Sequence, residues 1–187
     1  LRTDVSPIPF DEVKKVIEGE YGAPMKSLFL SFDETPLGSA SIAQVHTAIL
    51  RNGSKVAVKV QRPGIRDTMA RDIALLRRAA GILQRIGGIG GVIDFGMVLD
   101  EMWAVAQEEM DFLLEARHMD EFRDGNAGVA YVSCPRVEHR YTTSRALMME
   151  YIDGISIDDT DRLRREGYDL DEIGEKLAEN YVRQILD

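Results

Sequence analysis

The chain has 187 residues, 44% of them apolar and 29% charged, which is enough for one packed domain and part of a second. Its 32 acidic residues outnumber the 23 basic ones and give a net charge of −9, which disfavours nucleic-acid binding because that requires a cationic surface. One cysteine and three widely spaced histidines exclude a disulfide framework and a structural zinc site.

The first elements predicted in chain order are a helix and a β-hairpin. Residues 10–22 carry apolar side chains at helical spacing, and a glycine and a proline follow as a helix end. Two strand-like runs, 45–50 and 55–60, flank Asn52-Gly53. Such runs around Asn-Gly are the strongest short-range signal of a hairpin.

The middle of the chain predicts two long helices and two further strands. The helices span about 67–86 and 98–122, and the Gly-rich run at 87–91 separates them as a flexible break. Residues 131–137 and 145–152 are the predicted strands.

A short helix at 158–167 and a long one from Asp169 onward complete the order. Helix, hairpin, helices, two strands and helices together predict an α+β fold with a small antiparallel sheet. No apolar run in the sequence is as long as a membrane span, and no signal peptide is recognised at the start.

The second hairpin strand alternates between two faces. One face carries Val56, Val58 and Val60, and the other carries Ala57, Lys59 and Gln61. The valines predict a core face. On the other face Ala57 leaves room for a flat ring, and Lys59 suits an anionic oxygen. The alternative is an edge strand with a solvated lysine.

Two carboxylates fall among apolar positions of the helix predicted at 98–122. Glu109 lies inside its apolar stripe, and Glu115 has Phe112 and Met119 at helical spacing. A carboxylate that points to an apolar surface needs a cation or takes up a proton. Lys59 is one candidate cation. The alternative is that both glutamates lie at the edge of the stripe and reach water.

Residues 38–41, Gly-Ser-Ala-Ser, form a run of small residues before the hairpin. Small residues let the backbone approach a ligand closely, so the N–H groups and two hydroxyls suit phosphate. A simple small-residue turn is the alternative.

Four stretches together resemble one known family. They are PLGSASIAQVHTAIL, VAVKVQRPGI, EEMDFLLEARHMDEF and ALMMEYIDG, and their order matches the UbiB/ADCK-type, or AarF-related, atypical kinases over almost the whole chain. The resemblance implies a protein-kinase-like fold. It implies an N-terminal helical extension over 1–35, a kinase-like N-lobe with hinge over 36–155, and the incomplete start of a C-lobe over 156–187.

The resemblance also implies roles for individual residues. The implied ATP contacts are Gly38, Ser39, Ala40, Ser41, Ala57, Lys59, Met149, Glu150 and Ile152. Lys59 would contact the phosphates and Glu115 would pair with it, as the two catalytic residues of this segment. Glu109 and Asp111 match the Glu-x-Asp motif of the family. Spacing alone leaves Glu109 open as the partner of Lys59.

The hinge of the family matches residues 149–152. The Glu150 carbonyl and the Ile152 amide would meet the adenine edge, with Met149 behind it. The small-residue loop at 38–41 keeps only one alanine of the family's alanine-rich run.

Asp94-Phe95-Gly96 has the sequence of the kinase magnesium motif, but its position in the chain does not fit that motif. The magnesium aspartate follows the catalytic loop, whereas this triplet precedes both the Glu115 helix and the hinge. We therefore expect Asp94 at the approach to a helix. The resemblance puts the catalytic loop and the metal-binding aspartate beyond Asp187, so we expect a piece of a longer protein with no metal ligands in this chain.

The resemblance implies the ATP-binding portion of an atypical kinase or ATPase that supports quinone or isoprenoid-lipid metabolism. ATP or ADP with Mg²⁺ is the expected cofactor, and membrane lipid or quinone-pathway proteins are expected partners of the whole protein. We expect a cytoplasmic protein that is peripheral to or anchored at a membrane through other parts. This chain alone should bind nucleotide weakly and turn over none.

Two alternatives remain at this point. One is a non-catalytic, pseudokinase-like regulator that binds lipid or protein on the same scaffold. The other is an unrelated α+β domain with accidental motif matches.

Overall fold

A computed structural model describes residues 5–87 and 94–186, with no description of the side chains at 83–87. The helices are α1 (Phe10–Tyr21), α2 (Met25–Leu28), α3 (Ile65–Gly87), α4 (Phe95–Glu109), α5 (Phe112–Gly125), α6 (Thr160–Arg165) and α7 (Leu170–Leu186). The strands are β1 (Phe29–Phe32), β2 (Gly38–Ser39), β3 (Ala43–Leu50), β4 (Lys55–Gln61) and β5 (Ala146–Glu150). The predicted break at 87–91 lies outside the described residues except for Gly87.

The five strands form one antiparallel sheet, which confirms the predicted fold class. Its order is β1-β3-β4-β5, and β2 pairs with β3. The predicted hairpin is β3–β4, and its turn has Gly53 at φ 87°, where a glycine is favoured. The Ser54 N–H donates to Asn52 Oδ1 at 3.0 Å and supports the turn.

One face of the sheet is packed under α1. The predicted valine face of β4 is buried there, and the cluster also contains Val13, Ile17, Ala48, Leu50 and Met148. The apolar alternation of β3 and β4 and the helical spacing of α1 meet in this cluster, so local pattern and packing agree.

A polar pair is buried on this same face. Gln44 and His46 are 1% and 0% exposed, and the Gln44 Nε2 and His46 Nε2 atoms are 2.8 Å apart. His46 Nδ1 donates to the Asp33 carbonyl at 2.8 Å. Burial lowers the pKa of His46 below that of an ordinary imidazole.

The single helix predicted at 98–122 is wrong, because α4 ends at Glu109 and α5 starts at Phe112. The side chain of Asp111 accepts the Leu113 N–H at 3.1 Å and starts the new helix. Nε2 of Gln61 donates a hydrogen bond to the Met110 carbonyl at 2.7 Å. A helix cap and a bond from a distant strand therefore override the continuous apolar spacing.

The strand predicted at 131–137 is also wrong. Only Val137 forms an isolated bridge, to Met149. Pro135 has no N–H to give to a ladder, which disfavours a longer strand there.

The chain divides into two compact units. The first comprises 1–125 and 134–151 and contains the sheet with α1 to α5; the second comprises 126–133 and 152–187 and contains α6 and α7. In the second unit, the buried Asn180 donates to Asn126 Oδ1 at 2.9 Å. None of the helices in the described ranges has both the length and the apolarity to cross a membrane.

Candidate functional site

The second face of the sheet is only partly covered, and it carries the predicted site residues. Directly paired residues of antiparallel strands point to the same face. The register therefore forms two rows across β3, β4 and β5: Val45, Lys59 and Leu147 in one, and Thr47, Ala57 and Met149 in the other. We call this surface the open face.

Lys59 on the open face binds Glu115 in the first turn of α5. Its Nζ lies 2.8 Å from Oε1 and 2.7 Å from Oε2 of Glu115, so both carboxylate oxygens are contacted. The side chains are 26% and 35% exposed, so the pair is neither fully buried nor freely solvated. Of the two partners that spacing left open, the structure pairs Lys59 with Glu115.

Packing of α5 holds this pair in place. Phe112 and Ala116 of α5 are buried against Ala43 and Leu147 of the sheet. The ring of Phe112 also lies 4.8 Å from Lys59 Nζ, within the range of a cation–π contact. The Lys59 amine is therefore fixed by a carboxylate and by an aromatic ring.

Gln61 is a site residue whose role the sequence did not predict. It is 6% exposed, on the same strand face as Lys59, and it donates to the Met110 carbonyl between α4 and α5. The sequence does indicate its position, because Gln61 is two residues after Lys59 on the strand and therefore lies on the same face. Strand β4 thus contacts α5 through Lys59 and the joint that precedes α5 through Gln61.

The small-residue loop lies at the outer edge of β3. Gly38 and Ser39 pair with β3, and Ala40 N–H donates to the Ala43 carbonyl at 2.8 Å to close a tight turn that contains Ser41. A Cβ added at Gly38 would meet no atom within 4 Å, so space is open beside the backbone there.

The Glu-x-Asp residues lie at the joint between α4 and α5. Glu109 is the last residue of α4 and is exposed, which agrees with the alternative that it lies at the edge of the apolar stripe. It borders an apolar groove lined mainly by α4. Asp111 is the cap of α5 described above.

The hinge residues divide between the two units. Met149 is half-buried and pairs with Ala57. Glu150 Oε2 accepts from Arg136 at 3.3 Å, so this carboxylate is turned to the neighbouring segment. Ile152 belongs to the second unit, with 51% of its surface exposed.

Asp94 lies at the approach to a helix, as expected, and the structure shows in addition that it caps that helix. Its Oδ1 accepts the N–H of Gly96 at 2.9 Å and of Met97 at 3.2 Å and begins α4. No group of three or more His, Cys, Asp or Glu residues that suits a metal occurs within 5–87 and 94–186.

Comparison with known proteins identifies the family. A family profile, the ABC1 atypical kinase-like domain, matches residues 1–187. The chain is 34% identical over 186 residues to a probable protein kinase UbiB from Marinobacter nauticus, covering 100% of this chain and 34% of that protein. It is 34% identical to the protein Activity of BC1 Complex Kinase 7, chloroplastic, from Arabidopsis thaliana, covering 94% of this chain and 25% of that protein.

A solved structure has a similar fold. The Rv3197–erythromycin complex from Mycobacterium tuberculosis matches with a TM-score of 0.70 and 31% identity, over 83% of this chain and 39% of that one. Another relative, from the hydrogenase 1 5′ region of Clostridium pasteurianum, is 37% identical, and the chain spans 35% of its length. The chain belongs to the family of ABC1 atypical kinase-like domains, with relatives named UbiB and AarF domain-containing kinase.

Proposed function

We propose that this chain is the ATP-binding portion of an atypical kinase or ATPase of the UbiB type. The observation that carries the proposal is the two-contact ion pair of Lys59 and Glu115 on a partly covered sheet face. Phosphoryl transfer depends on positioning and charge neutralisation. A lysine amine that is oriented by a carboxylate can position a phosphate and neutralise its charge.

The surroundings of Lys59 suit a nucleotide. Ala57 is one row away and carries only a methyl group, beside half-buried Thr47 and Met149, so a flat base has room there. The loop at 38–41 has open space beside its backbone for phosphate oxygens. In this proposal the Met149–Glu150 segment lies at the adenine edge; Ile152 enters through the family resemblance alone.

Mg²⁺ would accompany ATP or ADP and neutralise phosphate charge when bound. Its protein ligands and the catalytic base are proposed to lie outside this chain. A role of the whole protein in quinone or isoprenoid-lipid metabolism, with lipid or pathway proteins as partners at a membrane, is likewise proposed from the family.

Nucleotide titration tests the proposal. We expect MgATP binding by the full-length protein, followed by calorimetry, to weaken by about tenfold or more in Lys59→Met, since one charged contact is worth about 1.5–3 kcal/mol. Lys15→Met is the matched control, because Lys15 is an exposed lysine of α1 that pairs with Glu12. Equal affinity in wild type and Lys59→Met would contradict the role of Lys59.

A non-catalytic regulator is the second candidate, and an apolar groove favours it. The groove encloses about 680 Å³ and is lined mainly by apolar side chains of α3 and α4, among them Met69, Met97, Met102 and Val105. Methionine-rich surfaces adapt to varied ligands. The structure of the Mycobacterium tuberculosis relative is a complex with erythromycin, so that protein binds a ligand that is not a nucleotide.

Turnover separates the two candidates. The kinase or ATPase proposal expects ATP consumption by the full-length protein that Lys59→Met abolishes, and none by residues 1–187 alone. If the full-length protein binds nucleotide but consumes no ATP, either with or without added membranes, the regulator is favoured.

A further inference from the structure

Arg62, directly after β4, ties three parts of the chain together. Its Nε donates to the Ala40 carbonyl at 2.7 Å, and one terminal nitrogen donates to Ser39 Oγ at 2.7 Å and to the Ser6 carbonyl at 2.9 Å. Its backbone N–H donates to the Ile42 carbonyl at 2.8 Å. The acceptors Ser39 and Ala40 belong to the small-residue loop, Ile42 follows it directly, and Ser6 lies in the segment before α1.

The segment before α1 has a second attachment beside the same loop. The Ile8 N–H donates to Oε1 of the buried Gln44 at 2.9 Å. Gln44 is the cross-strand partner of Ser39 in the β2–β3 pair. The segment at 6–8 is therefore held to the loop through Arg62 and to its partner strand through Gln44.

The loop is held by backbone pairing with β3, but its small side chains offer little surface for packing. Gly38 has open space at the position of a Cβ, and the neighbouring side chains are a hydroxyl or a methyl group. A guanidinium donates in a fixed planar fork, so it sets the positions of several acceptors at once. The fork of Arg62 is directed at protein oxygens on the loop, which makes it a support of the loop.

We propose that Arg62 is a positioning residue that holds the 38–41 loop in its nucleotide-binding shape and couples it to the segment at 6–8. This inference rests on the proposed function, since the loop is the proposed phosphate contact. It adds a consequence: removal of the segment before α1 should loosen the loop and weaken nucleotide binding.

Two variants of Arg62 test the proposal in the full-length protein. Arg62→Ala removes the fork, and Arg62→Lys keeps the charge without the fork. Arg71→Ala is the matched control, because it removes the same charge from α3, where Arg71 contacts Thr68. Amide hydrogen exchange without nucleotide and calorimetric titration with MgATP are measured on each variant.

We expect exchange of the amides at 38–43 and of the Ile8 amide, which donates to Gln44, to accelerate by about tenfold in both Arg62 variants, and MgATP affinity to fall by about fivefold to tenfold. Arg71→Ala should change neither. Unchanged exchange in Arg62→Ala would overturn the proposal, as would full recovery of affinity and exchange in Arg62→Lys, which would indicate that charge alone matters.

The exchange measurement separates this inference from the proposed function. If the wild type binds no MgATP, the proposed function fails, while the exchange of 38–43 still decides whether Arg62 holds the loop. If Arg62→Ala does not fold, Arg62→Lys and Ser39→Ala carry the test, with Ser39→Ala expected to accelerate exchange less than Arg62→Lys, because it removes one of three bonds of the guanidinium.

Discussion

The strength of the Lys59–Glu115 pair is open to a direct measurement by a double-mutant cycle. Lys59→Met and Glu115→Gln are made singly and together, and the free energy of unfolding in urea gives the coupling between them. These substitutions keep side-chain size and remove charge. The cycle therefore isolates the ion pair from the packing of Phe112 and α5.

The structure sets the expected magnitude. Exposed ion pairs contribute roughly 0.2–1 kcal/mol, and removing one partner of a fully buried pair costs about 3–5 kcal/mol. Lys59 and Glu115 are 26% and 35% exposed and make two contacts, at 2.7 and 2.8 Å. We expect a coupling of about 1–2 kcal/mol, between these limits, that weakens as salt is added.

The chain offers an internal control for the cycle. Lys15 and Glu12 form an ion pair at 2.6 Å on α1 with 71% and 40% exposure, so their coupling should be about 0.3–0.5 kcal/mol. A Lys59–Glu115 coupling no larger than that of Lys15–Glu12 would refute the reasoning, because it would mean that the sheet and α5 do not hold the two groups together.

Three further changes test the supports around the site. Gln61→Met fills the same space without a donor for the Met110 carbonyl and should lower the free energy of unfolding in urea by about 1–3 kcal/mol. Tyr21→Phe removes the hydroxyl that donates to the Tyr141 carbonyl and should cost about 0.5–1.5 kcal/mol in the same assay. Because burial lowers the folded-state pKa of His46, the unfolded chain alone takes up its proton as pH falls below about 6.5, so stability is lost there; His46→Gln should flatten the fall of Tm between pH 6.5 and 5.

Each has an outcome that contradicts it. A Gln61→Met protein as stable as wild type would show that the Met110 carbonyl needs no partner. An unchanged free energy of unfolding in urea for Tyr21→Phe would contradict a stabilising role of its hydroxyl. A Tm that falls equally in wild type and His46→Gln would assign the acid sensitivity to other groups.

Local pattern was sufficient for the hairpin and for the faces of β4. Asn52-Gly53 and the alternation of valine with Ala57 and Lys59 act within a few residues, so the sequence alone predicts them. The same alternation places Lys59 on the open face, where the structure has it.

Long-range contacts decided what the pattern did not predict. Apolar spacing runs through Met110, so it indicated one helix, but the bond that holds the joint comes from Gln61, 49 residues away in sequence. Arg62 reaches Ser6, 56 residues away. Glu109 falls in the apolar stripe by spacing, yet it is exposed because α4 ends there. The spacing of residues within one helix or strand cannot predict contacts with residues that are distant in the sequence.

A crystal structure of the full-length protein with a non-hydrolysable ATP analogue and Mg²⁺ tests the central claim most directly. The account predicts a phosphate oxygen within about 2.7–3.2 Å of Lys59 Nζ, with Glu115 still in contact with that amine. An analogue bound away from the open face, with Lys59 in contact with Glu115 alone, would contradict it.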